Sequence, residues 1–350
     1  MAAQAGTLLI TNISMVSGKP QLRVQSDTGI TNQVLCKTNL SQANWVLLTN
    51  LMVAQSPYLF VDVSTASASR KFYRVIALTN TSALIPAGSF TMGDTLDGES
   101  DATPISVTVS AFYMDINVLS FGQWQSVYNW ATNHGYGFDY TGSGKAANHP
   151  VQTVDWWDAV KWSNARSQQA GLTPVYYTDA GLTRVYTNGE VTPYVKWTAS
   201  GYRLPTEAEW EKAARGRLIG KRFPWGDTIS ESQANYDSDT TGYSYDLGPS
   251  GFNATYATNG YPYTSPVGSF AANGYGLYDM AGNIWEWCWD WHGTPYAGGS
   301  DPRGPATGSN RVLRGGDWFY YPDYARCANR GYNLPTTSDD HIGFRCVRAL

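Results

Sequence analysis

The sequence predicts a mixed α+β protein with much irregular structure, preceded by a small all-β domain. The 350 residues are too many for one small core, so two domains are expected, at residues 1–80 and 81–350. Only 15% of the residues are charged, whereas 14% are aromatic and 35 are glycine. This mixture is typical of a loop-rich globular fold with an aromatic core, and it argues against a coiled coil or a disordered chain.

Residues 1–80 are predicted to form the small β domain and a linker. Short β-branched or aromatic segments, such as Gln21–Val24, Tyr58–Val63 and Phe72–Ile76, are separated by turn-forming residues. This spacing is typical of an immunoglobulin-like sandwich, and nothing in it indicates catalysis. The small residues at positions 2–5 resemble what remains after signal-peptide cleavage. We therefore expect a protein that is secreted, periplasmic or displayed on the cell surface.

Charge and hydropathy argue against nucleic-acid binding and against a membrane-spanning segment. The formal net charge is −4 and no run of Lys or Arg occurs, so nucleic acid is not an expected ligand. No apolar stretch reaches the roughly 20 residues that a membrane span needs. The four cysteines lack paired zinc-ligand spacing, which leaves buried free thiols or one disulfide among the last three.

Three helices are predicted in the second domain, and each starts at a polar N-cap: Ser120, Asp155 and Thr206. The third opens with the capping box Thr-Glu-Ala-Glu. We expect the acidic residues of this helix, Glu207, Glu209 and Glu211, to be helix-start and surface residues rather than general bases.

Two features follow further along the chain. The stretch from Phe223 to Pro266 is poor in helix signals, and a loop of that length must be tied down, for example by a bound hard cation. Tryptophans at alternate positions from Trp285 to Trp291 then predict a strand with one aromatic face.

Ordered motifs make the second domain resemble the formylglycine-generating enzyme family, also called the sulfatase-modifying factor domain. The motifs are GSFTMG at 88–93, HPV at 149–151, YRLPTEAEWE at 202–211, FPWG at 223–226, the stretch 276–287, RVLRGG at 311–316 and GFRC at 343–346. Together they cover nearly all of residues 84–350. The resemblance implies a C-type-lectin-like fold with a cleft lined by the C-terminal region.

The resemblance also bears on copper. Enzymes of the family oxidise a substrate cysteine to formylglycine, using copper held by two cysteines shortly after the Arg-Gly-Gly turn. Here Tyr320 takes the place of the first cysteine, and the second falls near Pro322 in a shortened segment. Copper(I) needs soft thiolate ligands, so we expect neither copper nor formylglycine generation. The alternative is an oxidase of this family with a non-standard metal site.

Calcium is the cofactor that the resemblance does imply. One site would use the side chains of Asn235 and Asn259 with the carbonyls of Tyr236 and Tyr261, and a second would use Asn283, the Ile284 carbonyl and Glu286. Asn259 replaces an acidic donor of the family pattern, so the first site is expected to bind calcium weakly or not at all.

The C-terminal segment, residues 311–348, is also similar to the variable proteins of diversity-generating retroelements. Adenine-directed mutation of asparagine codons can produce Phe, Tyr, Asp, Gly, Ser, Leu and His, but never Lys, Glu, Gln, Met or Trp. Those five residue types are absent from residues 319–342. We therefore expect a non-catalytic protein that binds a protein or glycan ligand, while an adhesive module without a single ligand remains open.

The predicted contact surface combines rigid aromatic rings with short polar groups, which bind at low entropic cost. Its residues are Trp318, Phe319, Tyr320, Tyr321, Asp323, Tyr324, Tyr332, Asn333, Ser338, Asp339, Asp340 and His341.

Overall fold

A computed structural model describes residues 9–25, 31–39, 46–52, 57–63, 70–78 and 82–350. The chain divides into a first unit, Met1–Thr81, and a second unit, Ser82–Leu350. Residues 1–8, on which the prediction of secretion depends, lie outside the described residues.

The first unit is all β in its described residues. Its strands are β1 (Leu9–Val16), β2 (Lys19–Gln25), β3 (Thr31–Lys37), β4 (Val46–Met52), β5 (Tyr58–Val61) and β6 (Phe72–Leu78). They form two antiparallel sheets of order β1-β2-β5 and β4-β3-β6. Leu22 and Val24 of one sheet and Val34 of the other are buried in one apolar cluster. The sheets therefore pack face to face, which confirms the predicted small β domain.

The second unit contains the three predicted helices, α1 (Phe121–Thr132), α2 (Trp156–Gln169) and α3 (Glu207–Ala214). Ser120, Asp155 and Thr206 are their N-caps, and Ser120 and Thr206 each complete a capping box. These side chains accept backbone N–H groups that the first helical turn leaves without partners. The local sequence therefore fixes where each helix begins.

The strands of the second unit are short and lie in several small sheets. They are β7 (Ser82–Ile85), β8 (Gly88–Met92), β9 (Ile105–Val109), β10 (Phe112–Asp115), β11 (Tyr176–Tyr177), β12 (Tyr194–Val195), β13 (Tyr202–Arg203), β14 (Asp237–Ser238), β15 (Gly251–Phe252), β16 (Trp285–Trp291), β17 (Gly299–Ser300), β18 (Arg311–Arg314), β19 (Gly331–Asn333), β20 (Ile342–Gly343) and β21 (Val347–Ala349). The larger sheets have the orders β13-β21-β10-β7, β19-β18-β16-β20 and β17-β9-β8. The predicted α+β fold with much irregular structure is confirmed.

Strand β16 lies at the centre of the second unit, with both faces buried. Trp285, Trp287 and Trp289 pack with α1 and α2 in one apolar cluster, as the period-two pattern predicted. The other face meets α3 and β18, where Cys288, Trp210 and Val312 share a second cluster. Because β16 pairs with β18 on one side and β20 on the other, it holds the strands that precede and follow residues 315–341 in one sheet.

The acidic residues of α3 are not on the surface, and that prediction was wrong. Glu207, Glu209 and Glu211 are 4%, 7% and 0% exposed. Each carboxylate contacts an arginine: Glu207 pairs with Arg330, Glu209 with Arg203, and Glu211 with both Arg215 and Arg314. Burying a carboxylate is tolerated when a hydrogen-bonded cation accompanies it, and these arginines supply that partner.

A further buried pair joins β16 to the C-terminal GFRC motif. Arg345 donates from Nε and Nη2 to the two carboxylate oxygens of Glu286, each at 2.7 Å. The indole N–H of Trp210 donates to Glu286 at 2.9 Å. Arg345 and Glu286 are 0% and 1% exposed. This pair is thus a buried bidentate contact, in which loss of one partner leaves an unpaired charge.

Replacing the carboxylate of this pair should destabilise the second unit strongly. For Glu286→Gln we expect a loss of about 3–5 kcal/mol in the free energy of unfolding, measured by urea denaturation with tryptophan fluorescence. Asp227→Asn is the matched control, because Lys221 and Asp227 are 44% and 42% exposed and their pair should contribute under about 1 kcal/mol. Equal losses for the two variants would contradict this account.

Candidate functional site

The C-terminal segment leaves β18 through a turn that requires glycine. Gly316 has φ of +70°, and a Cβ there would lie 2.9 Å from the backbone of Tyr324. Next in the chain, Asp317 accepts the N–H groups of Phe319 at 2.8 Å and Tyr320 at 2.9 Å. This side chain stabilises the turn locally and fixes the backbone that presents the aromatic residues.

Three consecutive aromatic side chains project from this turn. Phe319, Tyr320 and Tyr321 are 41%, 40% and 46% exposed. Trp318 is only 2% exposed, and its ring centroid lies 5.6 Å from that of Phe319. The prediction that Trp318 contacts a ligand is therefore corrected, because its ring supports the surface from below.

Aromatic side chains between positions 243 and 263 extend this surface. They were not among the ligand-contact residues predicted from the sequence. Phe252 stacks on Phe319 with centroids 5.8 Å apart, and Tyr243 lies 6.1 Å from Tyr321. Tyr261, predicted only as a calcium carbonyl donor, is 61% exposed and its ring lies 5.3 Å from Trp318. The abundance of tyrosine between Phe223 and Pro266 was the signal available in the sequence.

His341 closes one side of the aromatic cluster. Its ring stacks on Trp318 with centroids 4.9 Å apart. Its Nδ1 lies 3.0 Å from Oδ2 of buried Asp317, and its Nε2 lies 3.2 Å from Oδ1 of Asp340 and 3.9 Å from Oδ1 of Asp339. Rings and carboxylates thus meet at one place on the surface.

The charges around His341 alter its titration. Burial alone would lower the pKa of His341, but Asp317, Asp340 and Asp339 outweigh it and raise that pKa above its ordinary value. Burial raises the pKa of Asp317, while His341 opposes the shift. The neighbouring carboxylates therefore favour the protonated form of His341 more than water does.

The other predicted contact residues have mixed positions. Tyr324 is half-buried beside Tyr320, and Asp323 and Ser338 are half-buried with a side-chain oxygen out of solvent. Asn333 accepts from the Leu334 N–H at 2.9 Å and from the Thr337 hydroxyl at 3.0 Å, so its side chain holds a turn. Tyr332 is 53% exposed, but its ring lies against His292 at 4.2 Å. The compact part of the predicted surface is therefore residues 319–321 with His341 and its acidic neighbours.

The second predicted calcium set stays a prediction. Both carboxylate oxygens of Glu286 accept hydrogen bonds from Arg345, and the side chain of Asn283 exchanges hydrogen bonds with the backbone of Ser265. Ile284 is buried at 1% exposure. Arg345 therefore already compensates the charge of Glu286 in this structure.

The first predicted calcium set is not decided by these contacts and stays a prediction. Asn235 is buried and donates to the Tyr263 carbonyl at 2.8 Å, and Tyr236 is fully buried. Asn259 is exposed with φ of +62°, just before Tyr261.

The cysteines agree with the first of the two alternatives, since all four are free and buried. Burial raises the pKa of Cys327 to about 12 and that of Cys346 to about 11. Both therefore remain thiols at neutral pH and pack as small apolar side chains. At position 320, where the resemblance locates the first copper ligand, the chain offers only a phenol.

Among the described residues, no helix has the length and apolar character that crossing a membrane requires.

Comparison with known proteins identifies the scaffold. Residues 73–350 match the family model described as sulfatase-modifying factor enzyme 1-like domain. The formylglycine-generating enzyme of Mus musculus is 34% identical over 284 residues, which cover 75% of this chain and 73% of that protein. The same enzyme of Streptomyces coelicolor is 32% identical over 295 residues, covering 75% and 87%.

A solved structure extends the likeness. Treponema denticola variable protein 1 superimposes with a TM-score of 0.61 at 27% identity, covering 81% of this chain and 98% of that one. The ordered motifs, the β16-centred second unit and these relatives agree with one another. The chain belongs to the sulfatase-modifying factor enzyme 1-like family and carries its C-type-lectin-like fold.

Proposed function

We propose that this protein is a non-catalytic recognition protein that binds a protein or glycan ligand. Phe319, Tyr320 and Tyr321 supply the contact area, and the carboxylates beside His341 supply directional hydrogen bonds. The observation that carries the proposal is the exposure of three adjacent rings on a buried aromatic base. Exposed apolar patches of this kind mark interaction sites, because water contact makes them costly unless a partner covers them.

The division between scaffold and surface supports a variable binding site. The arginine pairs and Gly316 hold the frame, whereas the side chains of residues 319–321 point outward and carry little of the core. We infer that the segment is open to diversification, as in variable proteins of diversity-generating retroelements. The residue types absent from 319–342 and the likeness to Treponema denticola variable protein 1 support this inference.

A second candidate is an oxidase with a non-standard metal site. The curated relatives named formylglycine-generating enzyme favour it. Asp339, Asp340 and His341 could each direct one ligand atom to a common metal, since those atoms lie within 4.8 Å of one another. Such a set is harder than the copper thiolates and would suit iron rather than copper(I).

The binding proposal predicts that single ring deletions weaken binding without unfolding the protein. The full-length protein is screened on glycan and peptide arrays, and Phe319→Ala and Tyr320→Ala should each reduce the affinity for bound features by roughly tenfold or more. Tyr194→Ala is the control, because this tyrosine is 50% exposed on β12 and outside the aromatic surface. Thermal unfolding should be unchanged in all three, and undiminished binding by the first two would count against the proposal.

Metal binding distinguishes the oxidase candidate from the binding proposal. The protein is incubated with Cu(I) or Fe(II) and desalted. If it is a binding protein, we expect no stoichiometric metal, and oxygen uptake on a cysteine peptide no higher than that of His341→Ala. Metal retained at one equivalent, lost in His341→Ala and accompanied by oxygen uptake, would establish the enzyme instead.

The variable-protein inference is tested in the genome. We expect a reverse-transcriptase gene near this one, with a template repeat that differs from codons 319–342 only at adenines. A neighbourhood that lacks both elements would argue for a fixed recognition surface.

A further inference from the structure

Three carboxylates from separate segments converge at the start of α2. Asp155 is the N-cap of α2, Asp139 lies in the loop between α1 and α2, and Glu190 lies between β11 and β12. One oxygen of each lies within 4.8 Å of the others. These residues are outside the recognition surface, and neither the resemblance nor the relatives assign them a role.

Asp155 has a buried oxygen without a partner. The residue is 0% exposed, and its Oδ1 accepts the N–H of Asp158 at 2.7 Å. Its Oδ2 is buried and has no hydrogen-bond partner within the described part of the chain. A buried, ionised oxygen in that state is strongly unfavourable, so the geometry requires a proton or a cation there.

The nearby ammonium group is already engaged. Nζ of Lys161 lies 2.7 Å from Oδ2 of Asp139 and 2.9 Å from Oδ1 of Asp158. Asp158 also accepts the backbone N–H groups of Asp139 and Tyr140. Lys161 is therefore engaged by Asp139 and Asp158 rather than by Asp155 and Glu190.

We propose that Asp139, Asp155 and Glu190 bind a hard divalent cation, with calcium as the best fit. The donors are all oxygen, without the nitrogen or sulfur that transition metals prefer. Calcium–oxygen distances of about 2.4 Å allow two ligands of one ion to lie up to about 4.8 Å apart. The three oxygens of this set lie within 4.8 Å of one another. Asp139 and Glu190 are exposed, which leaves room for the water ligands that complete calcium coordination.

The site would tie three irregular segments together. The cation would fix the Glu190 turn and the Asp139 loop to the first turn of α2. Beside Asp155, Thr153 donates its N–H to the Asp339 carbonyl at 2.9 Å and Trp156 donates to the Pro335 carbonyl at 3.0 Å. The start of α2 therefore also supports the backbone of the C-terminal segment. Cation binding itself does not depend on whether that segment recognises a ligand.

Protonation competes with the cation at Asp155. Burial, helped by the neighbouring charges of Asp158 and Asp139 and opposed by Lys161, raises the pKa of Asp155 to about 8. A bound cation would compensate the same buried oxygen in place of that proton.

The test uses the full-length chain, stripped with EDTA and titrated with calcium chloride in a calorimeter at pH 7.5. Asp155→Asn keeps an acceptor for the Asp158 N–H and should fold, but it should lose one equivalent of calcium. Glu190→Gln should weaken the same equivalent by roughly tenfold or more, because each anionic ligand contributes to affinity. Glu231→Gln is the control. Glu231 is half-buried and, like Asp155, has a carboxylate oxygen without a hydrogen-bond partner in the described structure.

Thermal unfolding gives an independent readout. Calcium should raise the melting temperature of the parent protein and leave that of Asp155→Asn unchanged, while in EDTA the variant should be at least as stable as the parent. Calcium bound elsewhere in the chain would persist in the variant, so only the lost equivalent counts. Identical stoichiometry in parent and Asp155→Asn, or a variant less stable than the parent in EDTA, would overturn the proposal.

Discussion

Buried pairing of arginine with glutamate is the constraint on which the second unit depends. Arg314 at the end of β18 and Arg345 in the GFRC motif are both 0% exposed, and they pair with Glu211 and Glu286. Each also donates to backbone carbonyls, Arg345 to those of Tyr278 and Asp279 and Arg314 to that of Ala328. In a chain with so little regular structure, these guanidinium groups satisfy carbonyls that helices or sheets would otherwise satisfy.

That frame lies apart from the proposed recognition surface. Arg314 and Arg345 lie on either side of the segment that carries the exposed rings. Strand β16 pairs with β18, which precedes that segment, and with β20, which follows it. Gly316 and Asp317 then determine the backbone that presents Phe319 and Tyr320. Because the rings themselves are exposed, changing them removes little buried area, so this scaffold can carry different side chains at residues 319–321 without loss of its frame.

The sequence predicted what depends on neighbours in the chain and missed what depends on distant partners. The caps Ser120, Asp155 and Thr206 and the tryptophan alternation of β16 are local signals, and each is present in the structure. The burial of Glu207 was not predictable from the capping box, because Arg330 lies 123 residues away.

Contacts at the site that the sequence did not predict have the same origin. Glu286 pairs through both carboxylate oxygens with Arg345, which lies 59 residues later in the chain. Phe252 joins the aromatic surface from an irregular stretch, where no periodicity could have placed its ring beside Phe319.

Asp246, in the long irregular region, shows one way in which this protein accommodates a buried carboxylate, and Asp155 differs from it. Asp246, 4% exposed, accepts from the Tyr236 hydroxyl at 2.5 Å, the Ser238 hydroxyl at 2.8 Å and the Asp239 N–H at 2.7 Å, so internal donors tie down a stretch for which a cation was expected. Within the described residues, one N–H donates to Asp155, and two further carboxylates lie close to it. Carboxylates that lie close together repel one another, and a cation that they coordinate offsets this repulsion.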